Sequence, residues 1–494
     1  MIDLNHCRKA TWPIRLGLLL LTAPAAVQAQ FSYATNNGAI TLTEYTGAGG
    51  AVVISNFVTS IEWEAFDGCT NLTSVAIPVS VTNIGDAAFF NCSSLTSITI
   101  PGSVTSIGQE AFYDCASLTN VTIVNGVTSI GESAFGRCSG LTSVTVSGSV
   151  TNIGFVAFYN CGSLTTITVD AQNLFYSSTN GVLFNADQTT LIQYPLGLAG
   201  SYTIPGSVTS IGDYAFNYAR LTSVTIPGSV TSIGNDAFEG CASLTAITVD
   251  PNNSFYSDVD GVLFNQNQTT LVQYPGGLAG SYKIPGSVAI IGLVAFSGCD
   301  GLTSVTIPGS VTNIGAYAFE DCTGLTNVTI ANGLNSIDTA AFDGCNGLTS
   351  VTLPSSVTYL SEYAFAYCSD LTKVYFEGNA PGVYEPFEFD PDLRVFYLPG
   401  TTGWSGFAVY TGHRATLWNP LIQMGDGSFG VQNNQFGFNI TSAGNLTVVV
   451  AACTNLASPV WTPITTNTLV NGSFHFSDPQ WTNYPNRFYS LQMP

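Results

Sequence analysis

The fold is decided by the segment Leu118-Thr-Asn-Val-Thr-Ile-Val-Asn-Gly-Val-Thr-Ser-Ile-Gly-Glu-Ser-Ala-Phe-Gly-Arg-Cys138, because versions of it recur along most of the chain. An Ala-Phe pair marks each copy, and successive phenylalanines lie 23 residues apart four times, then 58, 22 and 58, then 23 three times. They are Phe66, Phe89, Phe112, Phe135, Phe158, Phe216, Phe238, Phe296, Phe319, Phe342 and Phe365. A fixed period of about 20–29 residues predicts a repeat solenoid, in which each copy forms one coil.

Each copy contains the parts that such a coil needs. Ile98 and Ile100 alternate with polar residues, which predicts a short strand with one buried face. Pro101 ends that strand, because proline has no amide hydrogen for a ladder. The segment Val104–Ile107 reads as a second, shorter extended piece. The Ala-Phe pair that follows, together with the cysteine three residues after it, has the spacing of one helical turn facing the core.

The pattern Leu-x-x-Val-x-Ile-Pro-x-x-Val-x-x-Ile-Gly-x-x-Ala-Phe-x-x-Cys resembles the BspA-type leucine-rich repeat of bacterial surface antigens and treponemal proteins. It is carried eleven times between about Ile61 and Phe376. The resemblance implies a leucine-rich-repeat-like right-handed coil of short parallel β-strands with one-turn helices. It also implies attachment to host, matrix or neighbouring-cell surfaces, although it specifies no ligand, because one fold serves many functions.

The rest of the chain divides around these repeats. A positively charged start and the apolar stretch Leu16–Val27 predict a secretory signal peptide at 1–29. We expect an N-terminal β cap at 30–60, repeats over 61–376, a closing segment at 377–420 and a small β-sandwich-like module at 421–494. Two closely matching longer units, the first insert (170–205) and the second insert (250–285), interrupt the period. In each, we expect a hairpin to replace the Ala-Phe turn and form a ridge for contacts.

Charge and hydropathy exclude several classes of partner. Without residues 1–29 the chain carries 7 basic and 30 acidic residues. Such a charge disfavours nucleic acid and anionic membranes, which require clusters of Lys and Arg. No later stretch reaches the roughly 18 consecutive apolar residues of a membrane span. We therefore predict a secreted or cell-surface protein, monomeric, whose partner is an extracellular protein or glycan.

Ten of the twelve cysteines share one position of the repeat: Cys69, Cys92, Cys115, Cys138, Cys161, Cys241, Cys299, Cys322, Cys345 and Cys368. Stacked coils bring such positions about 4.8 Å apart, which predicts a buried ladder of free thiols. Disulfides between neighbouring coils are the alternative for an exported protein. A zinc site is disfavoured, because no Cys-x-x-Cys or nearby histidine accompanies these residues.

Catalytic chemistry has little support. Beyond the signal peptide the chain holds only His413 and His475, and nothing places either beside a nucleophile. Asp258 and Asp260 could suggest a calcium loop, but the first insert has Ser178 and Asn180 there, which favours a turn. Glycosidase chemistry needs a pair of acids, and the sequence offers no basis for choosing one. We predict no enzyme, with no catalytic, cofactor-binding or metal-binding residues and no cofactor.

The candidate binding residues form an outward-facing row, here called the threonine row: Thr99, Thr122, Thr145, Thr168, Thr225, Thr248, Thr306, Thr329 and Thr352. Short hydroxyl and amide residues occupy most outward positions two residues earlier. Threonine also favours strands, and its cross-strand pairs stabilise a sheet by about 0.2–1 kcal/mol each. Both a structural role and a polar docking face are therefore open. An ice-binding role is disfavoured, since a curved sheet would not match a lattice.

Together these observations predict an exported, non-enzymatic adhesion or binding protein that uses the threonine row to recognise a protein or glycan. The alternative is a structural spacer or envelope component, displayed or anchored through the module at 421–494.

Overall fold

The computed structural model describes residues 30–398, 400–442, 447–456 and 459–492, so the predicted signal peptide at 1–29 lies outside the described residues. The described chain forms a β-solenoid followed by a separate set of antiparallel strands. The predicted repeat solenoid of short parallel strands is confirmed.

In chain order the strands are β1 (Phe31–Asn36), β2 (Ala39–Tyr45), β3 (Gly50–Val53), β4 (Ser60–Ile61), β5 (Leu72–Ala76), β6 (Asn83–Ile84), β7 (Ser97–Ile100), β8 (Ser106–Ile107), β9 (Asn120–Ile123), β10 (Ser129–Ile130), β11 (Ser143–Val146), β12 (Asn152–Ile153), β13 (Thr166–Val169), β14 (Tyr176–Thr179), β15 (Val182–Asn185), β16 (Thr190–Gln193), β17 (Ala199–Thr203), β18 (Ser210–Ile211), β19 (Arg220–Ile226), β20 (Ser232–Ile233), β21 (Ala246–Val249), β22 (Tyr256–Val259), β23 (Val262–Asn265), β24 (Thr270–Gln273), β25 (Gly280–Lys283), β26 (Ile290–Ile291), β27 (Leu302–Ile307), β28 (Asn313–Ile314), β29 (Asn327–Ile330), β30 (Ser336–Ile337), β31 (Ser350–Leu353), β32 (Tyr359–Leu360), β33 (Lys373–Phe376), β34 (Gly382–Val383), β35 (Arg394–Tyr397), β36 (Ala415–Leu417), β37 (Leu421–Gln423), β38 (Gly430–Gln432), β39 (Gln435–Thr441), β40 (Thr447–Cys453), β41 (Thr462–Thr468), β42 (Ser473–Asp478) and β43 (Phe488–Gln492). The described helical segments are α1 (Phe407–Thr411) and the 3₁₀ turns Trp404–Gly406 and Trp481–Asn483.

Each regular coil contributes one longer strand and one two-residue strand. The longer strands pair in parallel as β3-β5-β7-β9-β11-β13, β17-β19-β21, β25-β27-β29 and β31-β33-β35-β36. The shorter strands form a second row, from β2 to β12, from β16 to β20 and from β24 to β34. Both rows face a common core, because the apolar residues of each strand alternate with exposed polar ones.

The Ala-Phe segment is not the expected one-turn helix. Glu110, immediately before the pair, and Asp114, two residues after it, have φ angles of 53° and 60°. A right-handed helical turn needs negative φ throughout, so the chain makes successive tight turns instead. The tertiary prediction is nevertheless right, since Ala111, Phe112 and Cys115 are buried.

These turns are joined from coil to coil by backbone hydrogen bonds, here called the turn ladder. The amides of Glu110, Phe112 and Asp114 donate to carbonyl oxygens of the next coil, each at 2.8 Å. The same three positions do so in the other regular coils except the two that precede the inserts. The turn ladder satisfies buried backbone groups that lie outside either row of strands.

Inside the turns, phenylalanines and cysteines form two columns. Rings of successive regular coils stack with centroids 4.5–5.9 Å apart. The eleven cysteines among the described residues are free thiols, and of the ten in the repeats only Cys69 is not fully buried. Most donate to the phenylalanine carbonyl of the preceding coil, as Cys138 Sγ does to Phe112 O at 3.1 Å. Cysteine thus acts as a small core residue with a weak donor.

The inserts differ in detail from the prediction. In the first insert, β14, β15 and β16 form an antiparallel hairpin, and β16 then joins the shorter row through β18. The hairpin therefore lies before the shorter strand and does not take the place of the turn. A tight corner at Tyr194-Pro195 replaces the Ala-Phe turn, and the Tyr194 ring packs 5.3 Å from Phe216. Tyr274 does the same beside Phe296 in the second insert.

Aromatic residues of the closing segment cover the far end of the solenoid core. Trp404 stacks 4.8 Å from Tyr397 and contacts Phe376, while Phe407 is buried against the same residue. Beyond it, the described strands form two antiparallel sheets, β37-β39-β38 with β42 and β41-β40-β43. Residues of both sheets share one apolar cluster. The sandwich arrangement of this module stays a prediction.

Candidate functional site

The structure brings the threonine row together in groups. Strand pairing aligns Thr99, Thr122, Thr145 and Thr168, then Thr225 with Thr248, then Thr306 with Thr329, while Thr352 pairs with Tyr375. The two hairpins separate the first three groups, because each occupies the free edge of the preceding strand. In the first, the amide of Ile167 donates to Gly181 O at 2.9 Å. The threonine row is therefore not continuous along the solenoid but consists of several short groups.

Most side chains of the threonine row are exposed and make no hydrogen bond to the described residues. Seven of its nine residues are exposed, and Thr225 and Thr352 are half-buried. Thr352 has an interaction of its own, and none of the other eight hydroxyls bonds to another of the described residues. The threonines at the coil corners behave differently: Thr119 Oγ1 donates to Thr96 O at 3.1 Å, and Thr128 Oγ1 donates to Thr105 O at 2.9 Å. The corner threonines are thus structural, whereas the eight members of the row other than Thr352 keep their hydroxyl donors and acceptors.

The largest group of the row is the best candidate face. We call it the threonine patch: Thr99, Thr122, Thr145 and Thr168 on β7, β9, β11 and β13. The neighbouring outward positions carry Ser97, Asn120, Ser143 and Thr166, so the patch has no charged side chain. At about 4.8 Å per strand it is roughly 14 Å long. Later groups include charges, such as Lys283 beside Thr306.

Two clefts, which the sequence reasoning missed, open beside the inserts. The first cleft, of about 310 Å³, lies between the turn at Phe155–Phe158 and the corner at Gly212-Asp213. The second cleft, of about 160 Å³, lies between Asn235–Phe238 and Gly292–Val294. Gln193 and Gln273 line equivalent walls. The 58-residue gaps between Ala-Phe pairs were the signal, because each marks a coil without that turn.

Three acidic side chains near the turns have raised pKa values. Burial raises the pKa of Glu239 to about 7, with Asp236 nearby adding to the effect. Burial likewise raises the pKa of Asp343 to about 6 and that of Asp390 to about 7. Among the described residues no group of three or more His, Cys, Asp or Glu side chains could hold a metal ion.

The two histidines make ordinary packing and amide contacts. His475 Nδ1 lies 2.7 Å from Asn439 Oδ1, and the His413 ring packs edge-on against Phe387. Asp258 has a structural contact as well: its Oδ1 accepts the amide of Val249 at 2.7 Å, as Ser178 Oγ accepts that of Val169 in the first insert. The turn interpretation of this loop therefore has a physical basis in both inserts.

Comparison with known proteins supports the assignment of the repeat. A family model described as the BspA type leucine rich repeat region matches residues 51–180, 199–279 and 278–385. None of the curated proteins matches the chain. No helix within the described ranges has the length and apolarity to cross a membrane.

Several solved structures are similar in part. A leucine rich cell surface protein from Faecalibacterium prausnitzii A2-165 is 28% identical, covers 79% of this chain and 98% of its own, and has a TM-score of 0.48. The pneumococcal vaccine antigen PcpA is 18% identical over 79% of this chain and 98% of its own, with a TM-score of 0.41. A leucine-rich repeat protein from Bacteroides ovatus ATCC 8483 is 24% identical over 80% of this chain and 99% of its own, with a TM-score of 0.36.

Proposed function

Because the chain belongs to the BspA-type leucine-rich repeat family, we propose that it is an exported, non-enzymatic binding protein that attaches to extracellular protein or glycan. The observation that carries this proposal is the threonine patch, where exposed hydroxyls lack partners among the described residues in a fold that uses other threonines structurally. Polar, uncharged groups at fixed spacing suit a ligand that is itself rich in hydrogen-bonding groups.

The proposal also fits the charge of the chain. A net charge of −21 disfavours polyanionic partners, and a neutral patch within an acidic molecule suits a neutral or cationic ligand. The family is a repeat scaffold, so its function is expected to reside in a surface and not in a catalytic centre.

The test is binding of the mature protein to an array of glycans and matrix proteins. Replacing Thr122 and Thr145 by lysine places two long charged side chains on the patch, and we expect at least a tenfold loss of binding. The matched control replaces Thr306 and Thr329, which hold the same repeat position in another group. Unchanged binding by the patch variant, with circular dichroism showing intact folding, would refute the assignment of the patch.

The alternative, a spacer anchored through its C-terminal module, makes a different prediction. A chain lacking residues 421–494 would keep its ligand if the solenoid is the binding part. Loss of binding in this truncated chain, together with full binding by the lysine variants, would favour the spacer.

A further inference from the structure

The turn ladder stops at two places, and each stop faces a cleft. In regular coils, three amides around the Ala-Phe pair donate to the next coil. In the coil before the first insert, the corresponding amides of Val156, Phe158 and Asn160 have no acceptor among the described residues. In the coil before the second insert, the amides of Asp236, Phe238 and Gly240 likewise have no acceptor among the described residues.

Unpaired backbone donors are costly when they are shielded from water, at about 1–3 kcal/mol each. Val156 and Phe158 line the first cleft, and Asp236 and Phe238 line the second. The repeat of this arrangement in two inserts 80 residues apart shows that it follows from the insert itself. Each cleft is therefore lined by two residues whose backbone N–H donors are unpaired among the described residues.

The opposite wall of each cleft presents acceptors. Gln193 is only 8% exposed and Gln273 only 5%. Their amide nitrogens donate to the carbonyls of Tyr194 and Tyr274, at 3.4 and 3.0 Å. Their Oε1 atoms make no hydrogen bond with any described residue.

The backbone adds one more acceptor on that wall in each cleft. The carbonyl oxygens of Asp213 and Leu293 also accept nothing from the described part of the chain. A cleft that offers N–H donors on one wall and carbonyl acceptors on the other complements a ligand carrying both a C=O and an N–H group.

We propose that each cleft binds the acetamido group of an N-acetylated amino sugar. An acetamido carbonyl accepts from one of the two unpaired amides, and its N–H donates to the glutamine Oε1 or the backbone carbonyl. Its methyl group contacts the apolar wall, Ala157 and Ile192 in the first cleft and Ala237 and Val272 in the second. An anion would suit the N–H donors alone, but Asp213 and Asp236 border the clefts and the whole chain is acidic.

A sugar fits the shape of the clefts better than an extended peptide does. Beyond Phe158, the two coils that flank the first cleft come together, and the Tyr159 and Tyr218 rings meet edge-on at 6.4 Å. Beside the second, a Cβ added to Gly298 would lie 3.8 Å from Gly240 Cα. These close approaches leave less room for a continuous strand of peptide than for a pendant acetamido group that enters from the open side. The exposed ring of Phe155 at the first cleft gives a sugar an apolar surface to pack on.

The two clefts are separated by three coils, or about 14 Å along the solenoid at roughly 4.8 Å per coil. A glycan with an acetamido group on every residue could occupy both, and linkage would raise its affinity above that of either site alone. This site is distinct from the threonine patch, so the two proposals can fail separately.

The experiment is calorimetric titration of the mature protein with tetra-N-acetylchitotetraose, with cellotetraose as the matched sugar that has hydroxyls in place of the acetamido groups. We expect the acetylated sugar to bind at least tenfold more tightly. Gln193→Met or Gln273→Met alone should weaken the affinity, and the double variant should reduce it at least tenfold. Gln109→Met, at an exposed position of a coil with a complete turn ladder, should change nothing.

Hydrogen exchange gives a readout that does not depend on the size of the affinity. Without sugar, the segments containing Val156–Phe158 and Asp236–Phe238 should exchange faster than the segment containing Glu110–Phe112. With the acetylated sugar they should slow, while the third segment stays the same. Equal binding of cellotetraose, tight binding by the double variant, or equally tight binding of an N-acetylated tetrapeptide would overturn the proposal.

Discussion

Asp390 occupies the cysteine position of the last coil. It follows Phe387 by three residues, as Cys368 follows Phe365, and Phe387 stacks 5.9 Å from Phe365. The residue is only 5% exposed, and neither carboxyl oxygen has a hydrogen-bond partner among the described residues. A carboxyl group thus lies where most other coils bury a small neutral thiol, and burial raises its pKa to about 7.

The raised pKa predicts that Asp390 weakens the folded state at neutral and alkaline pH. Its ordinary pKa is about 3.9, so stability is fully present below that value and is lost as pH rises through about 7. Asp390→Cys restores the neutral residue of the repeat. We expect it to raise the free energy of unfolding by about 1–3 kcal/mol at pH 8 and by much less at pH 4, measured by urea denaturation.

Asp392→Asn is the control for that measurement, because this carboxylate is nearby but exposed. It should change the free energy of unfolding by less than about 0.5 kcal/mol at either pH. The same gain at pH 4 and pH 8 for Asp390→Cys would show that packing, not ionisation, is responsible.

At the scale of one coil, the glycine after the last isoleucine sets how closely coils approach. A Cβ added to Gly131 would lie 2.5 Å from both the carbonyl carbon and the oxygen of Gly108. Backbone atoms of two neighbouring coils cannot separate there without breaking the turn ladder beside them. The glycine is therefore required by close approach, not by an unusual φ angle.

We expect Gly131→Ala to lower the free energy of unfolding by at least about 2 kcal/mol, since overpacking against backbone costs roughly 1–3 kcal/mol or more. Gly206→Ala is the control, because a Cβ there meets no atom within 4 Å. It should be neutral or stabilising by up to about 1 kcal/mol. Equal effects of the two changes in thermal or urea unfolding would contradict the close-approach argument.

How much of the coil the sequence could predict depends on which interaction decides each part. The period and the inward Leu, Val, Ile, Phe and Cys positions predict the solenoid, because alternating apolar and polar residues indicate a strand with one buried face. The prediction of a helical turn around Phe112 is wrong, because the tight turns found there space the apolar residues as one helical turn would. Left-handed Glu110 and Asp114 could not be foreseen, because neither residue type demands positive φ.

The candidate sites were predictable only in part, for a similar reason. Thr119 and Thr122 are the same residue type three positions apart, yet one hydroxyl bonds to the previous coil and the other does not. The alignment of each coil with its neighbour determines which hydroxyl finds an acceptor. A single sequence does not predict that alignment to within one residue. The clefts form where the insert coil lacks the Ala-Phe turn, so that the amides of Phe158 and Phe238 have no acceptor among the described residues. Such clefts can be recognised only once the stacking of the coils is known.

At the scale of the whole molecule, the inserts divide the solenoid into three blocks. The buried apolar residues fall into separate clusters over 42–183, 182–263 and 262–407. The shorter strands, the turn ladder and the phenylalanine column are all interrupted at the same two places. In a solenoid, stability is the sum of each coil and its nearest-neighbour contacts, so weak junctions limit how far cooperativity extends.

We therefore predict that the three blocks open as separate units in hydrogen exchange at low denaturant. Phe112→Ala, in the first block, and Phe342→Ala, at the same repeat position in the third, each remove a fully buried ring, at a cost of about 3–5 kcal/mol. Each should accelerate exchange mainly within its own block, because the junctions transmit little of the loss. Equal acceleration of all three blocks by either variant would mean that the inserts couple the coils as strongly as regular turns do.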